Sequence, residues 1–390
     1  MEINKLQSLV TDASESLTSE IREHYHHLHM YPELSLQEEK TAQYIESYCK
    51  NMGLESRRAG GTGVIVEVTG KTDGPLIALR ADTDALAVQE ETGLDYSSRH
   101  EGVMHACGHD AHTAMLLGAL KVLHEQRQHL KGTVRCIFQP GEEGQGGAKI
   151  LVDEGVLKNV EAIFGMHVWS EAPSGTVLLR KGALLASSDR FDVMITGKGG
   201  HAAIPHLAVD PVSVLVDIYN AFQKIVTREI DPLANAIITV PMLEGSQAYN
   251  IISSTASFQG SLRTISQKER DFILSRMKEI VEGYSAAWRC RGELNIDRIS
   301  YPPLINNGTL IDEIAPLLEN VEHIDRPASM GSEDFAFYCE KVPGAFLLLG
   351  TFNEKKGTVY AHHHPKFHVD EDILSKGAAL YALCGFLRSL

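Results

Sequence analysis

Residues 1–54 carry apolar positions at helical spacing, interrupted by Tyr31-Pro32-Glu33. One helix is therefore expected to end there and a second to run from about Leu36 to Met52. Short apolar runs then alternate with helical segments. Val64–Val68, Leu76–Leu79, Val134–Phe138 and Ala162–Met166 read as strands; Thr113–His124 and Gly147–Asp153 read as helices. This alternation predicts an α/β layered domain with a largely parallel sheet. From Arg190 the pattern changes. Phe191–Thr196, Ala236–Met242, Ala256–Arg263 and Leu294–Ser300 read as strands, and Pro211–Val226 and Gln267–Ala287 as helices. The order βαββαβ is the ferredoxin-like unit, here inserted into the first domain. The chain then returns to the earlier style with a buried strand, Gly344–Leu349, and a helix, Ile373–Leu387. The expected division is a discontinuous catalytic domain over 1–187 and 301–390, with an inserted domain over 188–300.

Composition narrows the partners. At 390 residues the chain suits two or three domains, at roughly 150 residues each. Its formal net charge of −15 repels phosphate backbones, so neither nucleic acid nor an anionic membrane surface is an expected partner. No run approaches the ~18 apolar residues that span a bilayer, and Met1 to Ser19 shows no secretory signal. Six thinly spread cysteines (Cys49, Cys107, Cys136, Cys290, Cys339, Cys384) contain no CxxC pair. They point to a reducing, cytoplasmic setting rather than a disulfide scaffold.

Four polar clusters follow apolar segments of the first domain: Arg80 to Asp84, Met104 to Asp110, Gln139 to Gly144, and Met166 to Val168. The second precedes a helix without a clear strand before it. A fifth, His362-His363-His364-Pro365, follows a strand-like Thr358–Tyr360. Ligands bind beyond the carboxyl ends of strands in open α/β sheets, so these clusters can converge. Thiolate, imidazole and carboxylate together form the ligand set of zinc, with manganese or cobalt possible where carboxylate and His dominate. Of the adjacent Glu142 and Glu143, one can bind metal while the other acts as general base for hydrolysis by metal-activated water.

Structural roles compete with this reading. A His beside an apolar run is commonly a satisfied core residue, a Glu-Glu pair is commonly solvated surface, and Cys107 could be inert. Placement at strand ends favours chemistry; His24, His26, His27 and His29, on a helix, read as structural. Other motifs fail. His124-Glu125-Gln126-Arg127 is followed by Gln128, so HExxH is missing, and Gly283-Tyr284-Ser285-Ala286-Ala287 lacks the last Gly of GxSxG. Gly70-Lys71-Thr72 would need Gly at Ile65 for a P-loop, and Gly60-Gly61-Thr62-Gly63 precedes a strand rather than a helix.

The strings RADTDAL, MHACGHDAHTAM, QPGEEG, GKGGHAAIPH and HHPKF, with the early HMYPELS, resemble the M20 metallopeptidases. Their closest likeness is to the amidohydrolase branch of aminoacylases, hippurate hydrolases, indole-acetyl-amino-acid hydrolases, deacetylases and some carboxypeptidases. The likeness runs from about residue 20 to the C-terminus. It implies a three-layer α/β/α catalytic domain with an inserted ferredoxin-like lid that mediates a homodimer or homotetramer. It implies two divalent ions per subunit (Zn, Mn or Co), with Cys107, His109, Glu143, His167 and His363 as ligands. Glu142 matches the general base, Asp82 and Asp84 the acidic pair supporting the site, and His201 a lid residue stabilising the oxyanion. Asn250 and Arg263 resemble lid positions that hold a substrate carboxylate. His363 is chosen from the triple His because relatives place the ligand two residues before Pro365 and four before Phe367. Ala87 departs from the Pro of many relatives.

The expected activity is hydrolysis of the amide of a small N-acyl-amino acid or short peptide, aminoacylase-like or as a metallocarboxypeptidase. Rival readings are a hydrolase with Cys107 as nucleophile and a non-catalytic metal-binding protein.

Overall fold

The computed structural model describes residues 3–318, 321–323 and 328–387. Contacts divide the chain into two units: Met1–Gly182 with Ile305–Arg326 and Asp334–Leu390, and Ala183–Leu304 with Pro327–Glu333. None of the described helices is long and apolar enough to cross a membrane.

The first unit is built on an eight-stranded sheet. Its order is Ser56–Ala59, Gly63–Thr69, Lys131–Gln139, Thr72–Asp82, Val160–Pro173, Gly344–Phe352, Val177–Leu179 and Val321–His323. The centre is parallel, with Ala81 opposite Phe138, Leu79 opposite Phe164 and Leu347 opposite Met166. Antiparallel pairing begins outside it, between Gly63–Thr69 and Lys131–Gln139 and again between Gly63–Thr69 and Ser56–Ala59. The largely parallel sheet read from the sequence is thus mixed. The short strand Ser56–Ala59 escapes pattern reading because its Ser-Arg-Arg-Ala has no apolar alternation.

Alternation along the central strand separates two layers. Ile77, Leu79 and Ala81 join the core formed by the helices Thr18–Met30, His109–Glu125 and Leu374–Phe386. Ala78 and Arg80 face the other way, where Arg80 meets Asp334 and Phe335 ahead of the short helix Ala336–Cys339. The helix His109–Glu125 is buried from His109 to Leu120 without a polar stripe, as expected of an element enclosed on all sides. Its neighbours come close because glycine permits it. A Cβ on Gly377 would lie 1.8 Å from Met115 Sδ.

The second unit has the βαββαβ order: Asp189–Thr196, Pro211–Lys224, Ala236–Glu244, Thr255–Thr264, Gln267–Ala287 and Arg291–Ile296. Its antiparallel sheet runs Ala236–Glu244, Thr255–Thr264, Asp189–Thr196, Arg291–Ile296. Phe191, Phe222 and Phe258 meet edge to face at its core. Asp210 caps the first helix by accepting from Val212 N–H, with Pro211 at the first helical position. That helix ends at Lys224 in a π-helical turn, Ile225–Glu229, where the apolar pattern alone suggested Val226.

His29 ties the N-terminal helices to the polar clusters. Its Nδ1 lies 2.6 Å from Asp110 Oδ2 and its Nε2 3.2 Å from Glu90 Oε1, both ring nitrogens being buried. Burial opposes the charge, but hydrogen bonds and attraction from Asp110 and Glu90 outweigh it and raise the imidazole to about 9. A pKa raised on folding stabilises fully below the unfolded value near 6.5, and the stabilisation fades as pH rises through about 9. The His29→Gln variant should therefore be less stable than wild type by on the order of 3 kcal/mol near pH 6 and converge with it near pH 10. Urea denaturation across that range checks this; a gap independent of pH contradicts it.

Candidate metal centre

The strand Thr72–Asp82 delivers Asp82 and, just beyond its end, Asp84. Cys107 and His109 are turned toward them by Gly108, whose φ of +90° lies in the left-handed region. A Cβ there would meet Val168 Cγ2 at 2.4 Å, so both conformation and space require glycine. His109 then opens the helix His109–Glu125. The strand Lys131–Gln139 leads into the Gly141-Glu142-Glu143-Gly144 turn, with φ of +66° at Gly141 and +78° at Gly144. This turn splits the two glutamates. Glu142 is buried, its Oε1 3.4 Å from the Asp334 N–H that donates to it. Glu143 donates its own N–H to Asp84 Oδ2 at 2.9 Å and directs its carboxylate to His363 Nε2 at 3.3 Å.

Two groups of potential ligand atoms, each mutually within 4.8 Å, share one residue: Cys107, His109 and His167, and Cys107, Glu143 and His363. Cys107 Sγ is 3.4 Å from His167 Nε2. Asp82, His109 and His112 form a further group, as do His109, Glu142 and Glu143. The fit to a cation is tested by His109. Its Nδ1 is held by Asp84 Oδ1 at 3.1 Å, while its buried Nε2 has no hydrogen-bond partner. Asp82 Oδ2 is 3.8 Å from it, too far for a hydrogen bond. A buried, unpaired nitrogen in a Cys/His/Glu setting is what a divalent ion satisfies, so the residues fit such a group.

The triple His resolves by geometry. His362 turns back, its Nε2 donating to Val168 O at 3.0 Å and its Nδ1 3.3 Å from Ser170 Oγ. His364 stacks on Tyr360 and accepts from Lys366 N–H. His363, in the left-handed region at φ +66°, faces Glu143. The segment before it is not a strand; Thr358 makes only an isolated bridge to Asn353. His167 likewise lies within the strand Val160–Pro173 rather than beyond its end.

Burial and neighbouring charges set the electrostatics of the cluster. Burial pushes the Cys107 thiol well above its ordinary range, which disfavours a free thiolate nucleophile and is the penalty a bound cation offsets. Burial lowers His167 well below the usual imidazole value, so it is neutral as a ligand must be. Burial also penalises the carboxylates of Asp82 and Asp84. The charges of His109 and Arg80 outweigh this at Asp82, and the His109 hydrogen bond and charge do so at Asp84, holding both low.

Three expected site residues lie in the second unit. His201 is exposed in the two-residue strand Gly200–His201, paired with Ile251–Ile252, and its Nδ1 accepts from Ala203 N–H. Exposed Asn250 accepts from Ala202 N–H through its carbonyl. Arg263, half-buried in the strand Thr255–Thr264, donates to Met330 O at 3.3 Å. Residues not anticipated are His112, Gln139, Asp334 and Arg80 as a structural cation. Arg80 is fully buried and donates to Asp82 Oδ2 (2.7 Å), Gln139 Oε1 (2.7 Å) and Asp334 Oδ1 (2.8 Å). His112 was signalled by its place in the same motif as His109; Asp334 carried no local signal.

Comparison with known proteins identifies the family. The family model of peptidase family M20/M25/M40 matches residues 78–384. The chain is 39% identical over 360 residues to an N-acetylcysteine deacetylase of Bacillus subtilis (strain 168), covering 91% of this chain and 93% of that protein. It is 38% identical over 361 residues to thermostable carboxypeptidase 1 of Saccharolobus solfataricus, covering 91% and 92%. Among solved structures, the Bacillus subtilis YXEP protein, described as a dinuclear metal-binding peptidase of the M20 family, superposes with a TM-score of 0.82. It is 34% identical to this chain, with 95% of this chain and 98% of that one covered. The mixed α/β fold is that of this family, and the chain is a hydrolase acting on amide or peptide bonds. The chain belongs to peptidase family M20/M25/M40, as its motifs suggested.

Asp84 accepts from His109 Nδ1, Glu143 N–H and Ser35 Oγ, so it aligns groups from three segments. Asp84→Asn should weaken divalent-ion binding about 10- to 100-fold, the usual effect of altering a group behind a ligand. Titration of metal-stripped protein with Mn2+ checks this, and unchanged affinity contradicts it.

Proposed function

We propose that the protein is a metal-dependent amidohydrolase cleaving the amide of small N-acyl-amino acids, with two divalent ions per chain. The observation that carries this reading is Cys107, the common corner of two ligand-atom groups, with Glu142 outside both. Cys107, His109 and His167 would hold one ion, and Cys107, Glu143 and His363 the other. Bound divalent ions supply a lowered pKa for water and polarisation of a carbonyl. The chain's own residues do the rest. Glu142 takes the proton as water oxygen bonds to the acyl carbon, and returns it to the amide nitrogen as the C–N bond breaks. The same proposal gives His201 the role of donor to the developing oxyanion, and gives Asn250 and Arg263 the substrate carboxylate. A guanidinium fork matches that group. Asp82 and Asp84 orient the imidazoles of His112 and His109.

A second reading, release of a C-terminal amino acid from a peptide, is supported by the likeness to the carboxypeptidase and needs the same chemistry. Both require metal. Chelation should abolish turnover, and Mn, Zn or Co should restore it. A panel of N-acetyl, N-benzoyl and dipeptide substrates given to the reloaded protein decides between the readings, and preference for dipeptides would favour the second. Glu142→Gln should retain both ions and lose about 10²- to 10⁴-fold in kcat, the span of general acid–base contributions. Near-normal turnover in that variant would remove Glu142 from its role. Turnover that survives chelation but not thiol alkylation would instead favour the cysteine mechanism.

A further inference from the structure

Three imidazoles converge on the backbone of one residue, Val168. Val168 lies in the strand Val160–Pro173, past Gly165, the last residue of that strand paired with Thr72–Asp82. On this stretch histidines satisfy the backbone in place of a neighbouring strand. The Val168 N–H donates to His112 Nε2 at 2.9 Å. The Val168 carbonyl lies 2.6 Å from His167 Nδ1 and 3.0 Å from His362 Nε2.

These contacts assign the protons. A main-chain N–H only donates and a carbonyl only accepts. His112 therefore has a bare Nε2 and carries its proton on Nδ1, which donates to Asp82 Oδ1 at 2.6 Å. His167 carries its proton on Nδ1, leaving the Nε2 lone pair toward Cys107 Sγ, 3.4 Å away. His362 carries its proton on Nε2. The rings of His112 and His362 pack edge-on against that of His167, with centroids 4.6 and 5.1 Å apart.

We propose that His112 and His362 are positioning residues for one of the two ions: acting through the Val168 backbone and by ring packing, they hold His167 with Nε2 toward Cys107 Sγ, as a ligand of the ion that Cys107, His109 and His167 would hold. Asp82 acts on the same ligand at one remove, by fixing the tautomer of His112. The inference rests on the two-ion reading above and adds a selectivity that reading does not contain. Loss of either ring weakens the His167 ion and spares the one held by Glu143 and His363.

The test is Co2+ titration of the metal-stripped full chain, followed by visible absorption and by bound cobalt per chain. Wild type should take up two ions; failure to do so removes the two-ion reading and this role with it. His112→Leu should weaken one ion about 10- to 100-fold, as expected for loss of a group behind a metal-binding imidazole. The spectrum of that ion should change while the other titrates as in wild type. His112→Gln, which keeps an acceptor for the Val168 N–H, should recover most of the affinity. His362→Leu alters a half-buried ring and should reproduce the selective loss; it decides the matter where His112→Leu does not fold. Wild-type affinity and spectrum for both ions in either folded variant overturns the role of that residue, even where the melting point of the metal-free protein falls.

Discussion

A buried guanidinium sets the terms for the whole site. Arg80 has no exposure to solvent, and a charge taken so far from water is tolerated only when paired and hydrogen-bonded. Asp82 and Asp334 provide opposite charge and Gln139 a third acceptor, while Gln139 also donates to Asp334 and accepts from Tyr338. The network joins the ends of two adjacent parallel strands to Asp334, 195 residues after Gln139 and 254 after Arg80. It anchors Asp82, whose other oxygen receives His112, and Asp334, whose N–H reaches Glu142. The groups assigned to ligand support and to proton transfer therefore share one foundation. Truncating Arg80 would leave two buried carboxylates without their cation, a costlier change than loss of a surface pair.

The second constraint is the sheet itself. Parallel pairing of Thr72–Asp82 with Val160–Pro173 stops at Gly165, and the later strand continues past it. Backbone groups left there need partners, since an unpaired buried amide costs about as much as a lost hydrogen bond. The helix His109–Glu125 brings His112 to the N–H, and the loop after Thr358 brings His362 to the carbonyl. Satisfying the strand and orienting His167 are thus one structural event. The same economy governs the glutamate pair, where glycines in the left-handed region on either side of Glu142 and Glu143 let consecutive residues face different neighbours.

What could be read in the sequence follows from how local the cause is. The helices Gly147–Asp153 and Gln267–Ala287 match their expected bounds because apolar spacing and flanking residues define both ends. Ser56–Ala59 was invisible because it is held by pairing with Gly63–Thr69 rather than by its own composition. Cys107, His109, Glu142, Glu143, His167 and His363 were legible as types and motif positions. Which imidazole of the triple faces Glu143 depends on a left-handed φ at His363 and on the Val168 carbonyl that holds His362, and neither is encoded within the three residues. Asp334 was missed for the same reason, since its value comes from Arg80, distant in the chain.

The division of labour among the acidic groups follows from their partners rather than their identity. Asp82 and Asp84 are both buried carboxylates at one strand end, yet each is committed to an imidazole nitrogen, His112 Nδ1 or His109 Nδ1. A carboxylate so engaged keeps its charge and serves to orient. Glu143 is fixed at its backbone by Asp84 and extends its side chain to His363, a placement suited to sharing an ion. Glu142 differs in receiving a main-chain N–H, that of Asp334, through Oε1 at 3.4 Å. The partners of these four carboxylates thus distinguish them more sharply than their places in the motifs do.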